Sequence, residues 1–146
     1  MVGYQRIEEA VVGQLLRHFP DHLNTNRCKA SDIDAVFLAM RNEDADFGCV
    51  IDYGDGRRRD RPPFGSDIWV WQIIGFFLVR FRGDTADQDR KTREVIDRLT
   101  TLFNEDKRLN GLVPLIQVTQ ISQPEPEMIN EMPVYWLAFS IEALDK

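Results

Sequence analysis

Four arginines fall within five positions of the segment GDGRRRDRPPFG, residues 54–65, in a chain of 146 residues with a formal net charge of -6. Only Asp60 relieves the positive charge within this group. Guanidinium groups bind phosphates and carboxylates through a fixed fork of donors, so such a cluster indicates either a contact surface for anions or a hydrated loop between strands. The four residues are Arg57, Arg58, Arg59 and Arg61.

The two histidines have the spacing of metal ligands on one helix face, but a proline separates them. His18 and His22 are four positions apart, and Pro20 should end the helix between them. The run DYGDG at residues 52–56 resembles the start of a calcium loop, yet it lacks the further oxygen ligands and the terminal Glu of such a loop. We therefore expect no metal and no cofactor.

Motifs for catalysis are missing from the sequence. It contains no Gly-rich phosphate loop and no nucleophile elbow, and Cys28 and Cys49 lie apart from each other and from the histidines. The carboxylates are too scattered for an acid and a base to be assigned. We therefore expect a protein that is not an enzyme, while an enzyme of unrecognised type stays an alternative.

Helical periodicity marks three segments. Residues 4–18 place their apolar side chains on one face and end before a proline. Residues 31–42 have a shorter apolar face after a capping-box-like start at Ser31, although a brief alternation leaves a strand as the alternative. The third helix follows a cap at Asp84 or Thr85, and its apolar stripe begins only at Val95. Its first turns, which carry Asp87, Arg90 and Lys91, are therefore expected to overhang the core, solvated or touching a neighbour.

Alternating or continuous apolar runs predict strands at residues 47–53, 68–82, 113–121 and 134–143. The second of these is apolar on both faces, so both faces should be covered by helices or by another subunit. Three segments are interpreted as loops: residues 21–30, the arginine segment at 54–67, and the Pro-rich acidic segment at 122–133. The acidic segment, which contains Glu125 and Glu127, is either a stiff solvated connector or a docking element.

This order of elements predicts an α+β fold in which two or three helices pack on a mixed, mainly antiparallel sheet of about four strands. We expect one domain over residues 1–146. The start of the chain lacks the basic and apolar pattern of a signal peptide, which favours a reducing cytoplasm. No apolar run approaches the roughly 20 residues of a membrane span, so no membrane contact is expected.

The same order resembles the tail terminator, or tail completion, proteins of long-tailed bacteriophages, which are minor tail proteins. The resemblance rests on the plan of nearly the whole chain rather than on an invariant motif. An amphipathic helix (IEEAVVGQLLRHF), a strand (FGCVIDY), a long loop and an aromatic strand (IWVWQIIGFFLVRF) precede a capped helix (DTADQDRKTREVIDRLTTLF) and closing strands that end in VYWLAFSIEAL.

That resemblance implies a virion assembly protein without catalytic activity. It would form a ring, typically of six copies, that caps the tail tube, stops its polymerisation and offers a surface to the head–tail connector. The protein would assemble in the host cytoplasm and stay in the virion tail. The arginines would face passing DNA in the lumen or the tube rim, and the helix start and the acidic segment would contact copies or partners.

A second function class stays open beside the first. The chain could be a stand-alone module that binds nucleic acid or another polyanion through Arg57 to Arg61. The acidic isoelectric point, near 4.9, argues against a broad basic face, so any such contact must be local. Sedimentation separates the two hypotheses, because a ring depends on protein concentration and a polyanion-binding monomer does not.

Overall fold

The structure is a computed structural model, and it describes residues 1–19, 33–42, 44–52, 54–59, 68–129 and 131–146. The predicted α+β class is confirmed, with three helices and six strands in this part of the chain. The expected loop at residues 21–30, the cap at Ser31 and the fourth arginine, Arg61, lie outside it.

In chain order the elements are α1 (Tyr4–His18), α2 (Ile33–Asn42), β1 (Phe47–Asp52), β2 (Gly56–Arg59), β3 (Ile68–Arg80), α3 (Thr85–Thr100), β4 (Leu115–Ile121), β5 (Glu125–Ile129) and β6 (Met132–Asp145).

The six strands occupy four positions in one sheet. β3 and β6 form its centre and pair from Trp69 with Asp145 to Arg80 with Val134. β1 and then β2 follow the outer side of β3, while β4 and then β5 follow the outer side of β6. All of these pairings are antiparallel, so the mixed component of the prediction is not seen among the described strands. The prediction of about four strands matches the positions in the sheet.

An extra residue separates the two strands on each outer side. Asp52 lies opposite Ile74 and Gly56 opposite Trp71, so four steps along the outer strand face three along β3. Such a bulge changes which face of the sheet the following side chains occupy. Gly54 makes this irregularity possible, because a Cβ there would lie 1.7 Å from a backbone oxygen of β3. The same shift separates β4 from β5.

The larger core lies between one face of the sheet and the helices α1 and α3. Leu15 of α1 and Leu99 of α3 are fully buried against the alternating apolar side chains of β3 and β6, as their periodicity predicts. Phe19, just after α1, packs on Phe77 of β3 with ring centroids 4.8 Å apart. We call this face of the sheet the α1/α3 side.

The opposite face, the α2 side, is covered at one end by α2. Val36 and Met40 are buried there against Val50, Leu78 and other apolar side chains of the sheet. The expectation that both faces of the aromatic strand need cover is thus met at this end by a helix. No helix in the described ranges is both long enough and apolar enough to cross a membrane.

The first turns of α3 pack on the sheet, so the prediction that they overhang the core is wrong. Gln88 and Thr92 are 2% and 7% exposed. The Gln88 side-chain amide donates a hydrogen bond to the Val79 carbonyl at 3.1 Å, and the Thr92 hydroxyl donates to the Gln88 carbonyl at 2.8 Å. Hydrogen bonds offset the cost of burying these polar groups, which hydrophobic periodicity does not reveal. Asp84 caps the helix as predicted, accepting from two backbone amides.

Candidate functional site

The arginine segment forms an edge strand where it is described, so the prediction of a loop over residues 54–67 is wrong for residues 56–59. In β2, Arg57 lies opposite Val70 and Arg59 opposite Ile68. All four residues of β2 are exposed. β3 extends beyond β1 and supplies the backbone partners for this strand. A run of charged residues has no apolar alternation, so periodicity could not reveal it.

Strand geometry divides the arginines between two faces of the sheet. Successive side chains of a strand point to opposite sides. Arg57 and Arg59 therefore lie on the α2 side, whereas Arg58 lies on the α1/α3 side opposite Trp69. The Arg57 side chain is 73% exposed, with its guanidinium 3.8 Å from the Glu142 carboxylate of β6. Arg59 has no ion pair within the described residues.

A rigid aromatic corner supports β2. The rings of Trp69 and Trp71 are stacked with centroids 5.5 Å apart, and Tyr4 of α1 meets Trp71 edge-on at 5.7 Å. Gly56 allows this packing, because a Cβ at that position would lie 2.1 Å from the Trp71 ring. The arginine strand is thus attached to a packed part of the molecule.

A buried carboxylate fixes this corner to the start of α1. The Asp145 side chain accepts hydrogen bonds from the Val2 amide at 2.8 Å, the Gly3 amide at 2.9 Å and the Trp71 indole at 3.0 Å. Burial alone would raise the pKa of Asp145, but these three donors hold the pKa below its usual value. No side chain caps α1 at Gly3, so Asp145 supplies the negative charge that a helix N-terminus favours. Sequence reasoning missed this residue.

The acidic segment is also an edge strand, so the prediction of a loop over residues 122–133 is wrong for residues 125–129. In β5, Glu125 lies opposite Trp136 and Glu127 opposite Val134. Pro126 is tolerated because an edge strand needs ladder donors on one side only. The two glutamates are exposed, lie on the α2 side and make no ion pair with any described residue.

A groove of about 400 Å³ runs along the other side of β5. Phe81 and Tyr135 meet edge-on within it, with ring centroids 6.5 Å apart. Met128 is 64% exposed at its rim. The lining is therefore largely aromatic and apolar, with one carboxylate, that of Glu127. The full lining is Phe81, Pro126, Glu127, Met128, Pro133, Val134 and Tyr135.

The other predicted interface residues, on α3, belong to a cluster of ion pairs within the chain. The Asp87 carboxylate lies 2.6 Å from Arg90 and 3.1 Å from Lys91. Lys91 also contacts Asp46, at 3.1 Å. The structure thus brings these three residues together and places them apart from the β5 glutamates. The cluster, which we call the ion cluster, contains Asp44, Asp46, Arg80, Arg82, Asp87, Arg90 and Lys91.

The ion cluster keeps its carboxylates charged and joins three elements: the turn before β1, the end of β3 and the start of α3. Arg82 lowers the pKa of Asp44 through a hydrogen bond and its charge. Burial would raise the pKa of Asp46, but hydrogen bonds from Arg82 and Lys91 outweigh it and hold the pKa low. Arg90 and Lys91 lower the pKa of Asp87 in the same way. These ion pairs link the three elements at this end of the sheet.

Within the described part of the chain, no three His, Cys, Asp or Glu side chains are close enough together to hold a metal ion. Cys49 is buried in the core, and His22 and Cys28 lie outside the described residues. No protein-family model matches this chain. A search of curated proteins gave no match to it either.

Proposed function

We propose that this chain is a non-enzymatic assembly protein that resembles a phage tail terminator. It forms a ring that caps the tail tube, stops tube polymerisation and presents a joining surface to the head–tail connector. The order of elements supports this proposal. The observation that carries it is that the two outer sides of one sheet end in exposed edge strands of opposite charge, β2 with three arginines and β5 with two glutamates.

Two unlike surfaces on one protomer favour head-to-tail association. A contact between different surfaces repeats from copy to copy, and it closes into a ring when the rotation allows. Short, charged or proline-containing edge strands resist indiscriminate pairing, as β2 and β5 should. Complementary charge then selects the partner and speeds encounter. The ring would assemble in the host cytoplasm and stay in the virion tail.

Sedimentation velocity over a wide concentration range, with electron microscopy of the largest species, tests ring formation. We expect a single closed oligomer that grows at the expense of monomer as concentration rises. The functional test uses the tail tube protein that the proposed ring would cap. Adding the chain during tube polymerisation should shorten the tubes and leave a ring at one end, whereas unchanged tube lengths would contradict the proposal.

One observation favours a second function, the binding of a polyanion through the arginines of β2, which are all exposed. Three phosphate contacts predict that log K for duplex DNA falls with log salt at a slope of about -2.7. A protein that stays monomeric and binds DNA with that slope is a polyanion-binding module. Negligible DNA binding by a concentration-dependent oligomer would eliminate this alternative.

A further inference from the structure

We infer that β2 of one copy lies antiparallel beside β5 of the next, which extends the sheet from subunit to subunit. This inference rests on the proposed ring and names its interface. In this arrangement Arg57 and Arg59 contact a neighbouring copy, whereas the sequence suggested DNA or the tube rim.

The charged side chains of the two edges match in side and in spacing. Arg57 and Arg59 both lie on the α2 side of the sheet, and so do Glu125 and Glu127. Each pair is separated by two residues along a strand, about 6.6 Å. Two arginines on one edge can therefore meet two carboxylates on another without any change of register.

Chain direction is also compatible with this pairing. β2 is antiparallel to β3, β3 to β6, and β6 to β5, so β2 and β5 run in opposite directions. Neighbouring copies in a ring whose α2 sides face the same way therefore bring the two strands together as an antiparallel pair. Setting Arg58 opposite Pro126 places Arg57 beside Glu127 and Arg59 beside Glu125.

The same register places the middle arginine against the groove. Arg58 lies on the α1/α3 side, where Phe81, Tyr135 and Met128 form the groove along β5. A guanidinium favours aromatic faces, and its aliphatic stem favours apolar surface. All three arginines of β2 thus have matching chemistry on the neighbouring copy, two ionic and one aromatic.

Side chains must supply most of the specificity at this contact. Pro126 has no amide hydrogen, so β5 cannot offer a complete ladder to an incoming strand. An unrelated strand gains little from pairing there. A strand with arginines at alternate positions gains two charge-assisted contacts, which makes the edge selective for copies of this chain.

The contact cannot form within one copy. Arg58 is level with Trp69 on β3, whereas Pro126 is level with Tyr135 and hence with Val79. Ten residues of β3 separate the two levels, about 33 Å, and the edges are on opposite sides of the sheet. Four strand positions add about 19 Å across the sheet, which gives a spacing of about 38 Å between copies. Six copies at that spacing would form a ring about 70 Å across, measured at the sheet.

Charge reversal on the full chain tests the interface. Glu125→Lys with Glu127→Lys makes one variant, and Arg57→Glu with Arg59→Glu makes the other. Each should weaken self-association at least about 100-fold in sedimentation velocity, because two attractive pairs become repulsive. Glu9→Lys with Glu105→Lys, and Arg6→Glu with Arg93→Glu, change net charge equally at exposed sites elsewhere and should assemble like the wild type.

Combining the variants tests direct contact and does not depend on either variant alone. A chain with all four reversals has complementary edges again and should recover assembly. An equimolar mixture of the two defective variants should also assemble, because every contact in an alternating ring is then complementary. Circular dichroism and melting curves of each variant show that the fold is retained.

The possible results separate this inference from the proposed function. Two results would overturn the β2–β5 interface and leave the ring proposal in place. In the first, both reversal variants assemble like the wild type. In the second, both variants lose assembly, but neither the combined chain nor the mixture restores it. A wild type that stays monomeric at every concentration overturns both. Loss of assembly in each variant with recovery on combination supports both.

Discussion

Replacing Asp145 should cost this protein a large part of its stability. Its carboxylate is fully buried and accepts three hydrogen bonds, from two backbone amides before α1 and from the Trp71 indole. In Asp145→Asn, one oxygen becomes a donor that faces another donor, and the two bonds that stay lose the charge that strengthens them. At roughly 1 kcal/mol for each bond lost or weakened, the change totals about 3 kcal/mol.

Urea unfolding followed by tryptophan fluorescence measures this loss. With a slope near 2 kcal/mol/M, a loss of about 3 kcal/mol moves the midpoint down by about 1.5 M. Glu142→Gln is the matched control on the same strand, because that carboxylate makes one ion pair with the described residues, with the Arg57 guanidinium at 3.8 Å. The control should stay within about 0.5 kcal/mol of the wild type. If Asp145→Asn also stayed within about 0.5 kcal/mol of the wild type, the proposed role of these hydrogen bonds would be refuted.

The pH dependence gives a second reading of the same residue. The pKa of Asp145 is lowered in the folded state, so its contribution is fully present above the unfolded pKa of about 3.9 and is lost as pH falls through the folded pKa. The difference in unfolding free energy between wild type and Asp145→Asn should therefore be constant from about pH 7 to pH 5 and shrink below about pH 4. A difference that grows on acidification would show that the sign is wrong.

Three further predictions concern other parts of the fold. Asp46→Asn should cost roughly 1 kcal/mol of unfolding free energy at pH 7, because it removes the ion pairs that lower the pKa of Asp46. The cost should be smaller in 1 M salt, which screens these pairs, and below about pH 4, where the wild-type carboxylate begins to take up a proton. Urea unfolding at several salt concentrations and pH values measures this. Gly75→Ala should destabilise by about 2 kcal/mol, since a Cβ would lie 2.2 Å from the Phe139 ring, whereas Gly13→Ala, a helical site with nothing within 4 Å, should stabilise by up to about 1 kcal/mol in the same assay. Gln88→Met keeps the size but loses the bond to a β3 carbonyl, and melting curves should show a loss of about 1 to 2 kcal/mol.

Elements with a one-sided apolar pattern could be predicted from the sequence. The period of α1 gave residues 4–18, and the structure has Tyr4–His18. The alternation of the last strand placed Leu137, Phe139 and Ile141 on one face, and all three are buried together. In such segments the residues that form the periodic pattern are also the ones that pack in the core. The pattern alone is therefore sufficient to predict the element and its buried face.

The edge strands and the buried polar groups could not be predicted in this way. β2 and β5 owe their pairing to the extra length of β3 and β6, and this depends on residues distant in sequence. Gln88 and Asp145 are buried because particular donors and acceptors from other elements satisfy them. The sequence drew attention to the arginines and glutamates, but the side of the sheet on which each lies depends on the bulges.

The extra residue between β1 and β2 reverses the alternation of sides along this outer strand. If the four steps from Asp52 to Gly56 alternated without a bulge, Arg57 and Arg59 would lie on the α1/α3 side and Arg58 on the α2 side. The bulge therefore gives the α2 side two of the three arginines. The backbone of a short connection, and not the arginines themselves, decides which side of the sheet carries more positive charge.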